Sequence, residues 1–251
     1  MNNSNIKELW EDFTNIIEYK DKCFQVNSKY VDTINITLDK LINFSRTSIS
    51  LFPKSYLEGY RAVSEIWDDE KRFRITSLDE TLKLIKDGRF NKDKVSYFYV
   101  ANKEDIAIKE IKVGDKKPIS VAKFKSKDGV KIRISNLSIL KKEIDRKALK
   151  WTKSITNEEY FLLQILLDEI SKPVAKNTPE EYLTTQYIFD YIKRKNDAAD
   201  KENFIDGFKY HSALGDGSNY VFFYDDKFTC LDIEHINKQY ATPNMMHITD
   251  K

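Results

Sequence analysis

Glycine and proline are scarce in this chain, seven and five among 251 residues, which argues against a disordered protein, and no low-complexity stretch is visible. Cysteine is nearly absent. Cys23 and Cys230 cannot build a disulfide framework. Their spacing does not decide whether they are paired or reduced; a reduced pair, and with it a cytoplasmic setting, is the expectation adopted. His211, His235 and His247 have no ligand spacing with either cysteine, so no metal site is expected. Charge of one sign is missing too. Forty-two basic against 40 acidic residues give a net charge of +2, which supports no global attraction to nucleic acid, and direct nucleic-acid binding is not expected. No apolar run approaches the ~20 residues needed to span a bilayer. The start, Met1-Asn2-Asn3-Ser4-Asn5, lacks the basic and apolar regions of a secretory signal. A soluble protein with no membrane partner is expected.

The usual nucleotide motifs are also missing. There is no G-x-x-x-x-G-K-[ST], no G-x-G-x-x-G and no G-x-S-x-G. Gly215-Asp216-Gly217-Ser218 is no dinucleotide fingerprint, because a strand pattern follows it and not a helix.

What is present is a hydrophobic fraction of 41% and an aromatic share of 13%, enough for a sizeable core. Ile6, Leu9, Trp10, Phe13, Ile16 and Ile17 repeat at helical spacing. A second helix is predicted from Tyr30 to Phe44, with Ile34, Leu38, Leu41 and Ile42 inward, and a third from Lys54 to Trp67. Residues 1–68 therefore read as a helical N-terminal extension, whose apolar faces pack on the remainder, 69–251, or on a second copy in a homodimer.

Beyond it the periodicity changes. Arg72 to Ile75 reads as a short strand, and Ser77-Leu78-Asp79-Glu80 as a capping box for a helix that Gly88 can end. Val95–Ala101 reads as a strand. Ile119–Phe124 and Val130–Ile134 read as two more, joined by a hairpin-like turn at Lys127-Asp128-Gly129 within a solvated lysine run. Thr156 with Glu159 caps one helix, and Thr178-Pro179-Glu180-Glu181 starts another running to about Arg194. A polar connection, Lys195 to Asn203, precedes strands at Gly207–Ser212, Tyr220–Tyr224 and Phe228–Ile233, the second apolar throughout and so central. Helices and strands without strict alternation point to an α+β fold.

Several polar residues stand inside apolar context at a fixed order. Arg72-Phe73-Arg74 comes first, with Arg72 preferred over Arg74 as the inward side chain. Arg89 follows a predicted helix end, Tyr99 with Ala101 ends a strand, and Ala107 with Glu110 follows. Tyr182-Leu183-Thr184-Thr185-Gln186 opens a helix. Asp206-Gly207, Tyr210, Ser212, Asn219, Val221 and Phe223 close the set. His211 points opposite to Ser212 on its strand and is expected to be exposed or packed. The set resembles the RES family, named for its Arg, Glu and Ser, over roughly residues 72–224. The stretch Asn196 to Glu202 looks like an insertion into it.

The resemblance implies an ADP-ribosyltransferase-like β core with flanking helices, and cleavage of NAD⁺ between nicotinamide and ribose. NAD⁺ would be substrate and not cofactor, with phosphate or water as acceptor: an NAD⁺ phosphorylase or glycohydrolase. Many members are toxins held in check by a helix-turn-helix (Xre-type) antitoxin. The residue types suit that reaction. Nicotinamide leaves as a neutral molecule, and the ribose becomes oxocarbenium-like. Glu110 can stabilise that cation. Arg72 and Arg89 can clamp the pyrophosphate, Tyr99 can stack on nicotinamide, and Ser212 and Asn219 can orient the amide or ribose. Two rivals use the same fold: an ADP-ribosyltransferase that modifies a macromolecule, and a non-catalytic interaction module.

Overall fold

The structure, a computed structural model, describes residues 3–19, 29–47, 49–52, 57–70, 73–74, 89–91, 97–145, 155–172, 182–200, 202–223 and 230–241. The chain divides into two compact units. One comprises residues 1–49, 86–93 and 136–204; the other comprises 50–85, 94–135 and 205–251.

The first unit is helical. Its described elements are α1 (Asn3–Tyr19), α2 (Lys29–Thr47), α4 (Leu137–Asp145), α5 (Asn157–Ser171) and α6 (Leu183–Asp197). The amphipathic spacing read in α1 and α2 is what they bury: Ile6, Leu9 and Phe13 from α1, and Ile34, Leu38, Leu41 and Ile42 from α2. The side chains of Ile16 and Ile17 lie outside the described residues. Helix α2 touches each of the other four described helices, and α5, which touches α1, α2 and α4, buries Leu162, Leu163, Leu166, Leu167 and Ile170. Its start is the expected capping box. Glu159 N–H donates to the Thr156 hydroxyl at 3.2 Å, and Thr156 N–H donates back to the Glu159 carboxylate at 2.8 Å.

The described elements of the second unit are an eight-stranded sheet and one helix. The strands are β1 (Ile49–Phe52), β2 (Glu58–Ser64), β3 (Phe98–Ala101), β4 (Pro118–Ser126), β5 (Ile132–Asn136), β6 (Gly207–His211), β7 (Ser218–Phe222) and β8 (Leu231–Tyr240). Helix α3 (Glu104–Glu110) follows β3. The spatial order is β1-β5-β6-β7-β3-β2-β4-β8. The pairs β2/β3, β2/β4, β3/β7, β4/β8 and β6/β7 are antiparallel. Alternation along the strands gives each face a core. Phe98, Val100, Ala122, Phe124, Ile132, Ile134, Tyr220 and Phe222 share one cluster. Ala62, Ala101, Ile119 and Val121 share another with Ile106, Ala107 and Ile108 of α3.

The α+β expectation holds, and β7 is central as its apolar sequence indicated. Several local expectations do not hold. The helix expected over Lys54–Trp67 is strand β2, which forms a seven-residue ladder with β4, from Glu58↔Lys125 to Ser64↔Ile119. The helical spacing of its apolar residues loses to two-sided strand pairing, since pairing partners far along the chain decide strand stability more than local pattern does. Gly59 fits that role, because a Cβ there would lie 2.7 Å from Val100 Cγ2. The hairpin expected between Ile119–Phe124 and Val130–Ile134 is not formed. Strand β4 spends both edges on β2 and β8, while β5 lies between β1 and β6. Gly129, with φ of +72°, sits in the turn that carries the chain between them.

Phe73 and Arg74, expected in a strand, form a turn and a bend; Arg72 and Ile75 lie outside the described residues. So do the helix expected from Ser77 to Gly88, the start signal at Thr178-Pro179-Glu180-Glu181, and Cys23. Helix α6 continues to Asp197, so Lys195 and the buried Asn196 belong to it and not to a polar connection. The last strand is later and longer than Phe228–Ile233.

Candidate active site

Helix α3 is short and its charges are arranged unevenly. Glu104 and Asp105 occupy its first turn and Lys109 its last, all suited to the helix dipole. Glu110, the final residue, opposes it: a carboxylate at the negative end of a helix is disfavoured. It is also exposed, unlike its neighbours Ile106, Ala107 and Ile108. What holds it comes from more than 100 residues further along the chain. Asn219 Nδ2 donates to Glu110 Oε1 at 2.6 Å, and Ser212 Oγ donates to the same oxygen at 3.4 Å. Among the described residues nothing bonds Oε2. The result is a carboxylate fixed by one oxygen, with the other unbonded among the described residues.

The two donors are buried, Asn219 6% exposed and Ser212 2%. Strand register brings them there. Tyr210 pairs with Asn219, and Asn219 pairs with Ala101, so these side chains share a sheet face with Tyr99, two residues before Ala101. Tyr60 pairs with Ala101 and extends the row. Tyr99 is half-buried on that face. Ser212 opens the turn between β6 and β7, where its oxygen also accepts Leu214 N–H at 3.1 Å. His211 is exposed, as its strand position indicated.

The turn is drawn onto α3. Asn102 Oδ1 accepts Ser218 N–H at 2.7 Å, and Asn102 N–H donates to the Ser218 carbonyl at 2.8 Å. A Cβ on Gly217 would lie 2.7 Å from Ile106 Cγ1 and 3.0 Å from Asn102 Oδ1, so only glycine permits this approach. Sequence reading assigned no role to Asn102 or to this contact of Gly217. A polar residue just past a strand end was the one available signal.

Arg89 lies in the helical unit. Its Nη1 donates to the carbonyls of Ile170 and Lys172, the open C-terminal end of α5, a favourable place for a cation. Its carbonyl accepts from the Thr185 hydroxyl. Arg72 lies outside the described residues. Arg74 donates to the Leu231 carbonyl at 3.0 Å and faces Asp232 at 3.8 Å. Asp206 and Gly207 are structural. The Asp206 carboxylate accepts Arg133 N–H, and a Cβ on Gly207 would lie 2.2 Å from the Val221 carbonyl oxygen. Cys230 is free and half-buried, and burial pushes its thiol pKa up. Among the described residues, no three His, Cys, Asp or Glu side chains gather as a metal site, and no helix is long and apolar enough to cross a membrane.

An α+β chain with an anchored carboxylate on one sheet face thus carries its Glu, Ser and Asn motifs as one constellation. The RES domain family model matches residues 60–242, and the chain belongs to the RES family. The match begins inside β2, the strand that replaces the expected third helix. Among solved structures, the chain is similar to the M. tuberculosis MbcT-MbcA toxin-antitoxin complex. Sequence identity is 11%, coverage is 85% of this chain and 94% of that one, and the TM-score is 0.45. No curated protein compared with the chain matches it.

Proposed function

We propose that this RES-family chain consumes NAD⁺ by breaking the bond between nicotinamide and ribose, with Glu110 as the catalytic carboxylate. The observation that carries the reading is the convergence of Ser212 and Asn219 on one carboxylate oxygen of Glu110, while no described residue bonds the other. A carboxylate kept at the wrong end of a helix and held by buried donors is an arrangement that stability alone does not select. In the proposed step the N-glycosidic bond breaks and nicotinamide departs with the bonding electron pair as a neutral molecule. The ribose carbon becomes oxocarbenium-like, and the Glu110 carboxylate stabilises the positive charge while accepting a ribose hydroxyl hydrogen bond. Phosphate then attacks to give a phosphorylated ADP-ribose, or water attacks and loses a proton to give ADP-ribose.

In this reading Asn219 and Ser212 serve the carboxylate first, as their hydrogen bonds indicate. Tyr99 lies on the same sheet face and is assigned to the nicotinamide ring. Arg72 and Arg89 are assigned to the pyrophosphate on the family resemblance, Arg89 through the guanidinium edge that α5 does not use. A chain that depletes NAD⁺ acts as a toxin, and its proposed partner is a helix-turn-helix antitoxin. NAD⁺ turnover by purified protein, with Glu110→Ala beside it, tests the reading. Radiolabel from NAD⁺ appearing on a protein or nucleic acid would replace it with macromolecular ADP-ribosylation.

A further inference from the structure

The segment 89–91 has no regular structure, yet three successive residues of it are gripped by one face of α6. Thr185 donates its hydroxyl to the Arg89 carbonyl and lies 3.0 Å from its alternative acceptor, the Tyr182 carbonyl. Gln186 Nε2 donates to the Asn91 carbonyl at 3.0 Å. Between them Phe90 stacks on Phe189, with ring centroids 3.9 Å apart and planes inclined by 23°. All of this is buried: Thr185 and Gln186 are each 2% exposed, Phe90 1% and Phe189 0%. Buried hydroxyl and amide groups need partners, and here they find them on the backbone of a neighbouring segment and not only within their own helix.

The same segment is fixed at its side-chain end. Arg89 Nη1 donates to two carbonyls at the end of α5. Among the described residues, nothing bonds Nε or Nη2. That edge presents two parallel donors, the fork that matches a pair of phosphate oxygens. Backbone and guanidinium are therefore held independently.

We propose that Thr185 and Gln186 are positioning residues, which hold the 89–91 backbone so that the Nε–Nη2 edge of Arg89 is preset for a phosphate of the substrate. The identity of that phosphate, as part of NAD⁺, rests on the function proposed above; the latch itself does not. Preset donors bind without the cost of ordering a loop. Loss of either bond should therefore weaken substrate binding more than it slows the bond-breaking step.

The test compares wild type with Thr185→Val, Thr185→Ser and Gln186→Met. Three readouts are taken: hydrogen exchange in peptides covering residues 89–91, thermal melting, and steady-state kinetics with NAD⁺. Thr185→Val and Gln186→Met are expected to speed exchange in that segment and to lower kcat/KM roughly tenfold, mainly through KM, each having lost one hydrogen bond. Thr185→Ser keeps the hydroxyl and should stay near wild type. Unchanged exchange in both variants overturns the latch. Faster exchange with kcat/KM within about twofold of wild type overturns the positioning role, and so does an equal loss in Thr185→Ser. If wild type leaves NAD⁺ intact, the proposed function fails, and exchange against melting still decides whether the latch exists.

Discussion

Asn219→Ala is the sharpest probe of how the carboxylate works. The substitution removes a 2.6 Å hydrogen bond to Glu110 Oε1, donated by a side chain that is only 6% exposed. A hydrogen bond to a charged group contributes about 1.5–3 kcal/mol. A tenfold change in rate corresponds to about 1.36 kcal/mol. If Glu110 must be held for the reaction, kcat/KM for nicotinamide release should fall roughly 10- to 100-fold. Ser212 cannot take over, since its own bond to the same oxygen is 3.4 Å long. Ser212→Ala should accordingly cost only several-fold by that route. The decisive comparison is a cycle. In a Glu110→Gln background, Asn219→Ala should cost far less than in wild type, because residues acting through one group are not additive. Undiminished turnover in Asn219→Ala would refute the reasoning. An equal factor in both backgrounds would refute it too, by showing that Asn219 meets the substrate and not the carboxylate.

Arg89→Lys should separate two roles. The charge at the end of α5 is retained, so melting should stay near wild type, while NAD⁺ turnover should drop because lysine lacks the fork. Gly207→Ala should destabilise the protein by about 1–3 kcal/mol or prevent folding, measured by denaturant unfolding, because the new Cβ would meet the Val221 carbonyl oxygen at 2.2 Å. Thr156→Ala should cost about 1 kcal/mol in the same measurement, through the lost cap of α5. The partner of that cap gives a pH signature. Burial raises the Glu159 pKa, but hydrogen bonds from Lys40 and Thr156 outweigh it and hold the group below its ordinary 4.5. A carboxylate lowered on folding stabilises fully above its unfolded value, and that contribution is lost as pH falls below about 4.5 through the folded value. Melting of Glu159→Gln should therefore be less pH-dependent than wild type below that point.

The parts of the fold that were legible in the sequence are those written locally. The Thr156–Glu159 box starts α5 where expected, and the apolar stripes of α1 and α2 are the faces they bury. The apolar run at Tyr220–Phe222 is a central strand. What failed was pairing. Strand β2 carries apolar residues at helical spacing and is a strand only because β3 and β4 flank it. The turn at Gly129 looked like a hairpin because its flanks are both strands, and nothing local says that β4 takes β2 and β8 as partners instead.

The candidate site was legible as a list of residues and not as a geometry. Glu110, Ser212 and Asn219 were all singled out, but the clamp on one carboxylate oxygen needs the register Asn219↔Ala101 and the turn after Ser212. The roles of Thr185 and Gln186 were invisible because their partners are main-chain carbonyls, which no sequence pattern marks.

The central claim is tested most directly by incubating the purified protein with NAD⁺, with and without phosphate, and separating the products by chromatography beside Glu110→Ala. The account predicts nicotinamide release by wild type and none by the variant. The co-product, phosphorylated ADP-ribose or ADP-ribose, names the acceptor. NAD⁺ left intact by folded wild-type protein under both conditions, or equal nicotinamide release by Glu110→Ala, would contradict it.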